Sequence, residues 1–152
     1  MSFISYLVNG ISLGSVYAII ALGYTMVYGI AKMLNFAHGD VIMIGAYVVL
    51  TAMASAGVSP VVAVLLAVVF CTVLGMLIER VAYKPLRNAA SPLAVLITAI
   101  GVSYLLQNVA LLVFGANTKS FTSVVPIPPL VLAGGNLTIS GETIMTIGAC
   151  IV

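Results

Sequence analysis

From Ile4 to Ile30 the chain runs without one formal charge, and Lys32 is the first charged residue met from the amino end. Crossing about 30 Å of hydrocarbon takes about 20 mainly apolar residues, and this run exceeds that. In lipid, one segment can pair all of its own backbone N–H and C=O groups only as a helix. The rest of the chain repeats the pattern. Only 5% of its 152 residues are charged and 63% are hydrophobic. Soluble domains carry roughly 25% charged residues, so this composition cannot build a water-facing surface. No Lys or Arg precedes the first run, and it is longer than the apolar core of a secretory signal, so it is read as a retained helix.

Windows of span length, bounded by charge, Pro or Gly, predict complete spans at 4–30, 36–56, 60–78 and 92–114 and the start of another at 142–152. The fold class is all-α, a polytopic transmembrane helical bundle. Ser59-Pro60 and Ser91-Pro92 mark helix starts, because proline at the first helical position lacks only an N–H that would be unpaired anyway. The second span is apolar from Val41 to Ala56 and reaches full length only by taking in Phe36, Ala37, His38, Gly39 and Asp40. Between the fourth span and the next, "FTSVVPIPPLVLAGGNLTISG" combines prolines, β-branched residues and Gly134-Gly135, which predicts a short extracytoplasmic hairpin or flap. Asn136-Leu137-Thr138 matches a glycosylation sequon there and is given little weight. The final run, "TIMTIGACIV", amounts to about 15 Å of helix, half a span, so 1–152 is expected to be the N-terminal part of a single longer transmembrane domain.

Orientation follows the cations. Arg80, Lys84 and Arg87, with Glu79, form the link between the third and fourth spans, and alternation puts Lys32 on the same side; Lys119 falls opposite. The cation-rich side is expected to be cytoplasmic and the N-terminus outside.

Few residues suggest chemistry. Gly10-Ile11-Ser12-Leu13-Gly14 matches a nucleophile elbow, but it lies in an apolar helix with the only histidine, His38, far along the hairpin. The same glycines make better sense as a small-residue notch, and helical spacing extends that face through Tyr17, Ala21, Tyr24 and Tyr28. Cys71 and Cys150 are far apart inside apolar runs, which fits packing better than a disulfide or metal site. No catalytic group, metal or cofactor is expected, and a net charge of +2 gives no reason to expect nucleic acid.

The segment Asn35-Phe36-Ala37-His38-Gly39-Asp40 carries the most information. On insertion scales an aspartate at the centre of a membrane helix costs about 2.5–3.5 kcal/mol, so its surroundings must be protein, water or headgroup. Two readings stay open: a helix start capped by Asn35 or Asp40, or a broken helix whose backbone lines a cavity. Gln107 and Asn108 are adjacent amides deep in the fourth span, with Thr98, Ser103 and Tyr104 a turn or two before, and at least one amide should face the bundle. Asn9 makes the same demand in the first span. Asn9 and the polar residues of the fourth span are polar glue first and pathway lining second, and the candidates for a substrate pathway or gate are Asn35, Phe36, His38, Gly39, Asp40, Gln107 and Asn108.

The three stretches "NGISLGSVYAIIALGYTMVYGI", "LNFAHGDVIMIGAYV" and "IERVAYKPLRNAASPLAVLITAIGVSYLLQN", in that order, resemble the LivH-type permeases of bacterial branched-chain amino-acid ABC importers. The family motif falls on Asn35, Phe36, Ala37, His38 and Gly39, and Asp40 stands where members commonly carry glutamate. The resemblance implies a multi-pass subunit of the bacterial inner membrane, about half of which is present here. It also implies partners: a second related permease, two cytoplasmic ATPases and a periplasmic binding protein. The permease would move hydrophobic amino acids inward by alternating access without doing covalent chemistry itself. The alternatives are a related permease for urea, amides or other amino acids, an ATP-independent transporter or channel, and a purely structural membrane subunit.

Overall fold

The computed structural model describes residues 2–86, 92–120, 128, 130–132 and 137–151. Along the chain it forms α1 (Ser2–Ala31), α2 (His38–Ala56), α3 (Pro60–Ile78), α4 (Pro92–Phe114), β1 (Leu130–Leu132), β2 (Leu137–Ile139) and α5 (Gly141–Ile151). The first four helices are long and apolar enough to cross a membrane, as the sequence predicts. The antiparallel pair β1–β2, in register Leu130↔Ile139, Val131↔Thr138 and Leu132↔Leu137, supplies the hairpin expected before α5. Arg87, Ser91, Gly134, Gly135 and Asn136 lie outside the described residues.

Helix ends follow local chemistry. Pro60 opens α3 behind an extended Ser59 (φ −60°, ψ 147°), although the Ser59 side chain makes no capping bond. Gly57 (φ 57°) closes α2 in the left-handed conformation, its N–H donating to the Ala52 carbonyl, and Gly115 (φ 78°) ends α4. Lys32 also takes a positive φ, 54°, an uncommon conformation for a residue with a side chain, and its N–H closes α1 on the Tyr28 carbonyl at 2.8 Å. The link at Glu79–Leu86 differs from a plain loop: α3 runs on through a π-turn at Glu79–Tyr83 and a 3-10 turn at Lys84–Leu86. The wider π-turn shifts the helical register, and it carries Tyr83 to a buried position.

Several hydroxyls inside the helices are satisfied by their own backbone. Ser15, Thr25, Thr51, Thr72 and Thr98 each donate to the carbonyl four residues back, at 2.7–2.9 Å. A side chain that returns its polar atom to its own helix can face hydrocarbon at little cost.

The chain divides into two compact units, residues 27–121 and residues 1–26 with 122–152. In the first, α2 packs along α3 and, more sparsely, on α4. Its core joins Ala37, Ile44 and Leu106 with Val41, Met43, Val48, Leu74, Ile78 and Val102. Ala63, Ala67 and Ala99 are also buried, small residues that let helix backbones approach where lipid removes the hydrophobic drive. Gly45 marks the tightest approach, since a Cβ there would sit 3.0 Å from Cys71 Sγ. Gly45→Val is expected to destabilise the α2–α3 pair by about 1–3 kcal/mol through overpacking. Cys71→Ala in the same chain should recover part of that loss. Thermal unfolding of the four chains of this cycle in detergent checks the coupling, and strictly additive effects would show that the sulfur is not the obstacle.

In the second unit Ser140 caps α5: its Oγ lies 2.9 Å from Thr143 Oγ1 and accepts from the Thr143 N–H at 3.3 Å. Ser12 Oγ donates to Thr143 Oγ1 at 3.2 Å, so the serine of the elbow-like pattern holds a helix contact and not a nucleophile's partner. Gly10, Gly14, Tyr17 and Ala21 are all exposed among the described residues. Nothing lies within 4 Å of a Cβ built on either glycine, and Tyr17 is 63% exposed. Asn9 is exposed on the same helix.

Candidate functional site

The interruption between α1 and α2 is a built structure. Asn35 Oδ1 accepts the Ala37 N–H at 3.1 Å, while the His38 N–H returns to the Asn35 carbonyl at 3.2 Å. This turns the chain before a helix can begin, so α2 starts at His38 and not at the expected 36; Phe36 is half-exposed and Ala37 fully buried beside the turn. Neither Asn35 nor Asp40 is the N-cap. That position falls to Ala37, whose side chain has nothing to donate or accept. Asn35 acts from two residues earlier, and it accepts a second bond at the same oxygen, from Tyr83 Oη at 2.7 Å. The turn is thereby tied to the π-turn that extends α3.

Asp40 lies in the first turn of α2, 9% exposed, and its carboxylate is taken up by α4. Ser103 Oγ donates to Oδ2 at 2.5 Å and Gln107 Nε2 to Oδ1 at 3.0 Å. Gln107 Nε2 also reaches Ser103 Oγ at 3.2 Å, closing a triangle. Helical spacing explains the fit: Ser103 and Gln107 are four residues apart and so share one face of α4. Both donors are neutral. The place of Asp40 at the amino end of α2 adds the favourable potential of the helix dipole for the anion. Higher along the same seam Tyr47 stacks on Phe114, ring centroids 4.3 Å apart and planes 6° from parallel. Pairs at 40 with 103 and 107, then at 47 with 114, mean that α2 and α4 run side by side in the same direction, as alternating spans require.

Two cavities border this seam. One, ≈ 290 Å³, lies where α2 begins and joins the turn to the π-turn, with Asn35, His38, Glu79 and Tyr83 among its lining residues. The other, ≈ 460 Å³, lies further along α2 and α4, with Tyr47, Gln107 and Lys119 on its wall. His38 and Val41 of the smaller cavity flank Asp40 in the chain, and Gln107 belongs to both the triangle and the larger cavity. The two readings of Asn35–Asp40 therefore merge, because the segment is a helix start whose preceding turn lines a cavity.

Of the other residues singled out from sequence, Asn108 turns away and donates to the Tyr104 carbonyl of its own helix at 2.7 Å. Gly39 is exposed, with open space about it. Glu79, Arg80 and Lys84 sit on the extension of α3. Sequence reasoning named Ser103 only as a neighbour of Gln107 and passed over Tyr83. The signal for Ser103 was its spacing of four from Gln107; Tyr83 gave none, since only the π-turn brings it inward.

A family model described as branched-chain amino acid transport system / permease component matches residues 6–150. The high-affinity branched-chain amino acid transport system permease protein BraD of Pseudomonas aeruginosa is 44% identical over 132 residues, covering 82% of this chain and 43% of that protein. The corresponding LivH permease proteins of Escherichia coli and Salmonella typhimurium are 44% and 43% identical over 129 residues, covering 80% of this chain and 42% of each. No solved structure matches. The chain thus spans less than half the length of these relatives, while the family match takes in nearly all of it: the chain belongs to the branched-chain amino acid transport permease family.

Proposed function

We propose that the chain is part of a permease subunit of an ABC importer that moves branched-chain amino acids across the bacterial inner membrane. The observation that carries this reading is a buried carboxylate, Asp40, held by two neutral donors on a membrane-crossing helix, one of which, Gln107, also lines a cavity. Ionisable groups inside membrane spans are costly and mark substrate or ion paths. Family membership supplies the substrate class. The subunit works by alternating access, the passage running along the α2–α4 seam. Its partners are a second permease, two ATPases that hydrolyse ATP on the cytoplasmic side, and a periplasmic binding protein. The helix face of Gly10, Gly14, Tyr17 and Ala21 is where a neighbouring subunit's helix approaches.

The full-length subunit, purified by a tag, should bring down an ATP-binding partner, and L-leucine uptake should cease when ATP is depleted. Uptake that continues without ATP and without such a partner would support an ATP-independent transporter in its place. In this reading Lys32, Arg80 and Lys84 face the cytoplasm and the N-terminus lies outside. A cysteine at Lys84 should resist an impermeant maleimide added to intact spheroplasts, and one at Lys119 should react. Reaction at Lys84 alone would invert the topology.

A further inference from the structure

A third cavity, ≈ 350 Å³, lies where α1 ends and α4 begins. Its wall is mostly apolar, from Met33, Leu34, Leu93, Val95 and Leu96. Lys32 is the one charged residue among the described lining, and Tyr28 stands a helical turn before it. Both helices are long and apolar enough to cross a membrane, so the end of one and the start of the other fall at the edge of the hydrocarbon, where headgroups begin.

Lys32 is the informative residue. It takes φ 54° at the position just past α1, a left-handed place that glycine fills without strain and a residue with a Cβ resists. Ending the helix does not require a lysine, since the closing bond from the Lys32 N–H to the Tyr28 carbonyl belongs to the backbone. The side chain is exposed, and among the described residues no carboxylate is paired with it. A cation at a span end, with an apolar wall beside it and an aromatic ring one turn away, suits a lipid headgroup: the ammonium attracts a phosphate and the wall takes hydrocarbon. A water-borne anion would leave that wall uncovered, and a zwitterionic lipid brings a cation of its own.

We propose that this cavity binds an anionic phospholipid, with its phosphate on the Lys32 ammonium and one acyl chain along Leu34, Leu93 and Leu96. The site is separate from the α2–α4 seam and does not depend on what the subunit transports.

The left-handed conformation supplies a variant that spares the fold. Lys32→Gly removes the charge and relieves the backbone, so the helix end should be at least as stable as with lysine. Lys32→Arg keeps the charge. The full-length subunit, assembled with its partners in dioleoylphosphatidylcholine vesicles, is irradiated with a trace of phosphatidylglycerol carrying a diazirine in one acyl chain. A parallel sample receives phosphatidylcholine with the same chains, and labelled peptides are mapped by mass spectrometry. With lysine in place, label on residues 93–96 should be about fivefold higher from phosphatidylglycerol, the effect of one cation near a lipid surface. Lys32→Arg should keep that preference, and Lys32→Gly should lose it at unchanged assembly. Equal labelling by both probes with lysine present, a preference that survives Lys32→Gly, or one that Lys32→Arg also abolishes would overturn the proposal. Absence of label from either probe would show that protein covers the cavity, and overturns it as well.

Discussion

Replacing Ser103 with alanine and Gln107 with leucine together is expected to cost about 3–5 kcal/mol, enough to remove most of the folded subunit from the membrane. Hydrogen bonds to charged groups contribute about 1.5–3 kcal/mol each, and the Asp40 carboxylate would lose both of its donors while staying in a region that hydrates poorly. The reverse deletion behaves differently. In Asp40→Ala the charge is gone, and Gln107 Nε2 and Ser103 Oγ already lie 3.2 Å apart, so the two donors satisfy each other. Adding Asp40→Ala to the double variant should therefore restore stability, a strongly non-additive result. Unfolding of the detergent-solubilised subunit, followed by circular dichroism, measures it. Additive losses would show that the carboxylate is solvated some other way.

The second large effect is expected at Asn35. Asn35→Leu strips one acceptor from two donors, the Ala37 N–H and the Tyr83 hydroxyl, and both are at buried residues. At about 1–3 kcal/mol for each unsatisfied buried group, the loss is about 2–6 kcal/mol. Tyr83→Phe removes one donor and leaves Asn35 its backbone bond, so it should cost about 1 kcal/mol. In Tyr83→Phe the further change Asn35→Leu should cost less than it does alone. Equal costs of Asn35→Leu in both backgrounds would mean that the turn and the π-turn are not coupled through this oxygen.

The helices were legible because lipid leaves a chain little freedom: apolar run length, the proline after Ser59 and the scarcity of charge each had one reading. The hairpin was legible from its prolines and glycines. The start of α2 was displaced from 36 to 38, because a side-chain acceptor two residues ahead of the cap closes a turn that periodicity does not register. The π-turn was not legible at all. Nothing in the order of residues 79–83 announces it, and Tyr83 reached the site only through it. Asp40 was recognisable as expensive, and Gln107 as an amide in need of a partner. That they are partners follows from α2 and α4 running side by side, information carried by tertiary structure and not by either segment.

The central claim is that the Asp40 seam serves transport and not merely packing. Its most direct test is L-leucine uptake by proteoliposomes holding the assembled full-length transporter with Asp40→Ala, because the remaining Ser103–Gln107 pair lets that variant fold. Uptake reduced at least tenfold, with subunit content and ATPase association at wild-type levels, is the result expected. Wild-type uptake from an equally well assembled Asp40→Ala transporter would contradict it and leave the buried carboxylate a purely structural tie.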